Sequence, residues 1–265
     1  MEPVIVGPEA RIRALAKSSG IDLGGMEIIS TEHSHAAAAA AVELARTGRV
    51  VALMKGSLHT DELLHAVLAA EKGLHTGRRI SHVFVMEVPS YPRALLITDA
   101  VVNIHPDLAT KRDIVQNAID LALRIGIAAP RVAIISAVET VNPAMQSTLD
   151  AAALCKMAER GQITGGSLDG PLALDDAIDP NAANIKGIHS EVAGRADILV
   201  VPDIEAGNML VKQLIFMDGA DAAGVVVGAR VPIILTSRAD SVRNRLASVA
   251  LGVLLAQGKA HEVGV

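Results

Sequence analysis

Short runs of β-branched and aliphatic residues alternate with segments of helical period along most of this chain, and that alternation constrains the fold more than any other feature. "VVALM" at 50–54 reads as a buried strand, and "DELLHAVLAAEKG", opened by Thr60, as a helix running to Gly73. "HVFVMEV" and "ALLIT" are strand-like runs separated only by "PSYPR", which suits an antiparallel hairpin and not a crossover. "TKRDIVQNAIDLALRIG" sets Thr110 and Asp113 at capping-box spacing, puts Ile114, Ala118 and Ala122 on one face, and stops at Gly126. "VAIIS" at 132–136 is a strand, followed by a helix with Asn142 as cap, Pro143 at its first position and Gly161 at its end. "DILVV", "AGNMLVKQLIFMDG", "AGVVVG" and "PIILT" continue the series. The expectation is an α/β protein whose parallel or mixed sheet is covered by helices, with ligands outside the carboxyl ends of the strands.

The hairpin near 82–98 interrupts the alternation and marks entry to a second lobe. We therefore expect a first α/β domain from residues 1–75 plus 230–265, a second from 76–229, and a cleft between them. At 265 residues and 51% hydrophobic, the chain can bury a core and still divide, because single cores stop growing at about 250–300 residues.

Composition then excludes several partners. With no Trp, one Tyr and two Phe, the chain has little to stack on bases, and 29 Asp and Glu against 24 Lys and Arg give a formal charge of −5. No nucleic acid is expected as a partner. The single cysteine, Cys155, rules out an internal disulfide; it shares a helix face with Thr148, Ala151 and Ala152 and reads as core. No leader is visible in the first twenty residues, and no apolar run approaches the ~20 residues of a membrane span, so a cytoplasmic protein without membrane contact is expected.

Three stretches carry candidate chemistry, and each also reads as an ordinary turn or cap. "ILTSRADSVRN" delivers Ser237 and Arg238 at a strand end just before a helix opening near Ser241, with Asp240 or Ser241 as its cap. The unpaired amides and dipole of that helix suit an anion, and Arg238 adds a permanent planar charge. In "KGSLHTDELL", Lys55 ends a strand, Gly56 and Ser57 turn, and Thr60 begins a helix, a second possible anion pocket. In "PDIEAGNML", Asp203 follows a buried strand, and Gly207 and Asn208 open the next helix. No Walker sequence or full dinucleotide glycine fingerprint is present. The nine histidines are scattered, with His33 and His35 only two apart, so no metal site is expected.

Taken together, "SEVAGRADILVVPDIEAGNM", "SLDGPLALDDAI" and "PIILTSRADS" resemble the ordered motifs of the phosphate acetyltransferase and phosphate butyryltransferase family, from about residue 50 to the C-terminus. The resemblance implies reversible acyl transfer between CoA and inorganic phosphate. It also implies two domains like the isocitrate and isopropylmalate dehydrogenase fold, an active site between them, a homo-oligomer such as a dimer, and CoA or acyl-CoA and phosphate as substrates with no bound cofactor. Ser237 and Arg238 match the family's Ser-Arg pair, with Lys55, Gly56, Ser57, Thr60, Asp203, Gly207 and Asn208 as substrate-side candidates.

One departure stands out. Acetyltransferases of the family place an acidic base seven residues after the serine, whereas this chain has Asn244, whose amide is no useful base. Asp240 is the nearest carboxylate and is equally suited to capping the helix. The "SRADS" turn and the short N-terminal region resemble the butyryltransferase branch. Acyl length, the base and the physiological direction stay open. Two alternatives remain: a non-catalytic CoA- or phosphate-binding sensor, kept in play by Asn244, and a metal- and NAD-dependent decarboxylating dehydrogenase of similar architecture, for which no acidic metal cluster is evident.

Overall fold

The computed structural model describes residues 2–237 and 239–262. The chain begins with β1 (Val4–Gly7), α1 (Glu9–Ser18), β2 (Glu27–Ser30), α2 (Ser34–Arg46), β3 (Leu53–Met54) and α3 (Thr60–Val67). It continues with β4 (Ser81–Glu87), β5 (Leu95–Thr98), α4 (Leu108–Arg124), β6 (Arg131–Ile135), α5 (Gln146–Glu159) and β7 (Ser167–Leu172). The last part comprises α6 (Leu174–Ile178), α7 (Pro180–Ile185), β8 (Ile198–Val200), α8 (Ile204–Met217), β9 (Asp221–Val227), β10 (Ile233–Ile234) and α9 (Val242–Glu262).

β1 and β2 form a parallel pair, and the remaining strands form one mixed sheet in the order β3-β10-β9-β4-β5-β8-β6-β7. β5, β8, β6 and β7 are mutually parallel, while β4 is antiparallel to both β5 and β9 and β9 is antiparallel to β10. β3 and β10 are parallel to each other. Counting the three reversals, β3 and β10 run opposite to β5, β8, β6 and β7. The sheet thus presents carboxyl strand ends at both of its edges.

Side-chain alternation on the strands distributes the helices. Val83 and Val225 face a core shared with α4, α5 and α9, including Ile114, Leu154 and Leu251. Met86 and Ala222 face the other way, under α6, α7 and α8, with Ala177, Ala183 and Val211. Further along that second face, Val226 and Ile233 pack under α2 and α3 through Val42 and Leu63.

The expected hairpin is β4–β5, paired from Val83↔Thr98 to Met86↔Leu95. In α4, Ile114, Ala118 and Ala122 are all buried, and the chain turns off at Gly126 with φ +95°, a conformation that glycine adopts without strain. Four helix boundaries differ from expectation. The helix after Thr60 stops at Val67, not Gly73: Leu74 is fully buried and its N–H donates to Val67 O at 2.7 Å, so the chain must double back. Asp107, not Thr110, caps α4, accepting from Thr110 N at 2.8 Å, and Asp113 instead accepts from Arg79 N. Asn142 closes a turn with Ala144 and Thr148 before α5, which begins at Gln146. α8 opens at Ile204 under an Asp203 cap, so Gly207 and Asn208 lie inside the helix.

Candidate active site

After Ile234 the chain leaves the sheet through Leu235 and Thr236 into a tight turn. Ser237 N donates to Asp240 Oδ2 at 2.6 Å, Ala239 N to Ser237 Oγ at 3.3 Å, and Asp240 N to Ser237 O at 3.3 Å. Arg238 lies outside the described residues. Ser241 caps α9 by accepting from Asn244 N at 3.1 Å, and Arg245 Nη2 donates back to Ser237 O at 3.3 Å. Asp240 therefore braces the serine's backbone while Ser241 performs the capping.

The neighbouring strand end belongs to Lys55, whose N–H donates to Ile234 O at 2.9 Å, so the Lys55–Thr60 loop and the Ser237 turn leave the same edge side by side. The Lys55 ammonium reaches the carbonyls of Gly56 and Leu58, both at 3.3 Å, and so shapes its own loop. Gly56 and Ser57 are exposed, and Thr60 is the first residue of α3 behind the cap residue His59. Glu62 Oε2 accepts from His59 N, and Glu62 Oε1 accepts from Ser34 Oγ.

Charge separates the two helix starts. The first turn of α3 holds Asp61 and Glu62, which already answer its positive end. The first turn of α9 holds no acid and includes Arg245 and Arg243, the latter paired with Asp221 at 2.8 Å. The start of α9 is thus less acidic than that of α3, with Asp240 the carboxylate just before it.

Asp203, Gly207 and Asn208 are not brought to this place. Asp203 Oδ1 accepts from Ala206 N at 2.9 Å as the cap of α8, and Asn208 Nδ2 donates to Ala100 O at 3.2 Å. At Gly207 a Cβ would stand 2.7 Å from Val201 Cγ2 and 3.0 Å from Ala100 Cβ, so the glycine permits close helix packing. These residues follow β8, whose direction is opposite to that of β10, and they cluster at the other edge of the sheet. Beside them Asp99, almost wholly buried, accepts from the N–H groups of Val101, Val102 and Asn103; burial pushes its carboxyl up against the opposing pull of these bonds.

Asn244 sits seven residues after Ser237, 7% exposed, with its Oδ1 3.4 Å from Ala222 N. Cys155 is half-buried and packs against the core formed with α4 and α9; burial, with the nearby Asp169 and Glu159 charges, pushes its thiol up to about 12.

The sequence reading missed a cleft of about 950 Å³ at the same edge as Ser237. The β4–β5 connection supplies Tyr91 and Arg93, the end of α8 supplies Leu214 and Asp218, and the segment before β8 supplies His189 and Arg195. Tyr91 Oη donates to Ala196 O at 2.6 Å and Arg93 Nη1 to Arg195 O at 3.1 Å, which fixes the rim. "PSYPR" reads as a simple turn, yet it holds the chain's one tyrosine beside an arginine, the available signal.

A helix start free of acids, a braced serine and a cleft on one sheet edge define an enzyme-like α/β protein suited to an anionic substrate. Residues 33–253 match the family model described as "Phosphate acetyl/butaryl transferase". The chain belongs to that family and is an acyltransferase. It is similar to a phosphate acetyltransferase of Rhizobium meliloti, 66% identical over 96% of this chain and 80% of the relative. It is also similar to a phosphate butyryltransferase of Clostridium acetobutylicum, 45% identical over 97% and 86%. The acetyltransferase thus stands at the higher identity. Among solved structures, a branched-chain phosphotransacylase from Enterococcus faecalis V583 superposes with a TM-score of 0.82 at 30% identity, covering 97% of this chain and 99% of that one.

Proposed function

We propose that this chain transfers a short acyl group, acetyl to butyryl, reversibly between CoA and inorganic phosphate, with the chemistry at the Ser237 turn. The observation that carries the location is the acid-free start of α9 facing that turn, braced by Asp240 and flanked by Lys55. Phosphate is held by the open amides of α9 and by Arg238, whose fork suits a tetrahedral oxyanion. A phosphate oxygen attacks the thioester carbon, negative charge builds on the carbonyl oxygen, and the C–S bond then breaks to release CoA as thiolate. One well-placed donor to that oxygen contributes about 3 kcal/mol; Ser237 and Arg238 are our candidates. In reverse, the CoA thiol gives its proton to a base, and Asp240 is the carboxylate nearest the serine. Asn244 positions and does not exchange protons.

Of the substrate-side candidates, Lys55, Gly56, Ser57 and Thr60 belong with this site by their common edge, whereas Asp203, Gly207 and Asn208 serve the packing of α8. The cleft beside Tyr91 and Arg93 is large enough for the CoA moiety. The finer architecture we propose is two lobes, residues 1–75 plus 230–265 and residues 76–229, in an isopropylmalate dehydrogenase-like arrangement with substrates between them. A cytoplasmic homodimer completes the reading, supported by the exposed Met209, Phe216 and Met217 on α8. No helix among the described residues is long and apolar enough to cross a membrane.

The deciding experiment is phosphate-dependent release of thiol from acetyl-CoA and butyryl-CoA without added metal. Absence of release from C2 to C4 substrates would leave a silent CoA-binding protein and sink the transferase reading. Light scattering that returns a monomer mass at micromolar concentration would sink the dimer.

A further inference from the structure

Lys55 differs from the other described lysines in where it sits and in what holds it. It follows β3, and its N–H donates to Ile234 O at 2.9 Å, so its half-buried side chain leaves the sheet beside the turn that carries Ser237. Its ammonium reaches the carbonyl oxygens of Gly56 and Leu58, both at 3.3 Å, and no carboxylate pairs with it among the described residues. Other lysines are held by acids. Lys111 pairs with Asp150 at 2.7 Å inside the protein, and Lys156 pairs with Glu159. Lys186 lies 3.0 Å from Asp176 and 3.1 Å from Asp175, and hydrogen bonds to these carboxylates push its pKa up. Lys17 on α1 and Lys212 on α8 are exposed.

An acyl phosphate is a mixed anhydride, and the free amine of a lysine attacks its carbonyl carbon. The lysine first gives one proton to solvent. The Nζ lone pair then forms a C–N bond, the bond from that carbon to the bridging oxygen breaks, and inorganic phosphate leaves with the electron pair. The nitrogen releases a second proton, and the products are a lysine amide and phosphate. No oxidant or further reactant enters. Two conditions select the lysine. Holding the anhydride beside the amine makes the attack effectively unimolecular, and a carboxylate partner opposes it by stabilising the ammonium form. Lys55 meets both: its neighbour is the turn proposed to hold the phosphoryl group, and its contacts are carbonyls.

We propose that Lys55 is a self-acylation site: acyl phosphate held at the Ser237 turn acylates its amine, and the enzyme is switched off as its own product builds up. The origin of the reagent rests on the transferase reading. Acylation removes a positive charge beside the proposed phosphate site. It also leaves a single N–H where the ammonium served two carbonyls, so the Lys55–Thr60 loop loses one of the ties that shape it. Free CoA returns acyl phosphate to the thioester and so spares the lysine.

Incubation of the full chain with acetyl phosphate in the absence of CoA, followed by peptide mass spectrometry, tests the site. Lys55 should be acetylated at least tenfold faster than Lys17 and Lys212, with Lys111 and Lys186 slower than both. Excess inorganic phosphate should slow Lys55 and leave Lys17 and Lys212 unchanged, and a folded Arg238→Ala variant should acetylate Lys55 no faster than Lys17. Thiol release by the treated wild type should fall in step with acetylation at Lys55. Acetylation of Lys55 no faster than that of Lys17, or equally fast with and without phosphate, overturns the site. Complete acetylation with unchanged thiol release overturns the switch. Selective, phosphate-protected acetylation in a chain that releases no thiol from acyl-CoA would instead strike the transferase reading and leave the site standing.

Discussion

Asn244 Oδ1 stands 3.4 Å from Ala222 N, tying the first turn of α9 to the start of β9 inside the protein. The amide thus has a structural partner seven residues after Ser237. Asn244→Ala should therefore cost stability more than chemistry. Leaving a buried donor poorly satisfied costs about 1–3 kcal/mol, which thermal melting and urea titration will register, while kcat changes by less than about threefold. A collapse in kcat with an unchanged melting temperature would return Asn244 to the reacting geometry.

Arg238→Ala should lower kcat by at least ~100-fold with the fold intact, as expected for removal of a transition-state donor. Asp240→Ala should lower kcat/KM by roughly tenfold or more, because the charge-assisted bond at 2.6 Å to Ser237 N is lost and the turn loosens. Circular dichroism checks folding in both variants. Near-normal turnover in Arg238→Ala would shift the oxyanion role elsewhere, with Lys55 examined next.

His82 predicts acid sensitivity. It is fully buried on β4 against Phe84 and Gly224, and neither ring nitrogen has a hydrogen-bond partner. Burial pushes its imidazole down from 6.5 to about 3. Between those values the unfolded chain holds the proton and the folded chain does not, so stability is full above pH 6.5 and falls as pH drops toward 3. His82→Leu should flatten the stability curve measured by urea titration in that window. An equally steep fall in the variant would assign the acid sensitivity to other groups.

Cys155 bears on how activity is measured. With its thiol pushed up to about 12, the thiolate at pH 8 is on the order of one part in ten thousand. The native protein should react with a thiol-specific chromogenic disulfide far more slowly than CoA does, and Cys155→Ala should keep full activity. Rapid stoichiometric labelling of the folded chain would contradict this.

Much of the fold was legible because it is local. The β4–β5 hairpin follows from two apolar runs with a five-residue gap, and the buried stripe of α4 follows from its period. Helix starts were less legible, since Asp107 and Thr110, or Ser241 and Asp240, compete for the same amides and only three-dimensional geometry decides. The direction of β10 was illegible. It depends on antiparallel pairing of β9 with β4, residues far apart in sequence, and that direction separates Asp203, Gly207 and Asn208 from Ser237. The cleft beside Tyr91 was missed for a similar reason, as its three walls come from distant segments.

The two-residue strand β3 pairs within the sheet only with β10 among the described residues, Leu53 meeting Ile233. On the ribosome this means the Lys55 loop has no sheet edge to join until residue 233 has been made and has emerged. At ~5–20 residues per second, that is a wait of about 10–35 s. β4 to β9, by contrast, are contiguous in the sheet without either β3 or β10. A chain cut before β10 would therefore carry the family's central motifs while lacking the strand that sets the Lys55 loop beside the Ser237 turn.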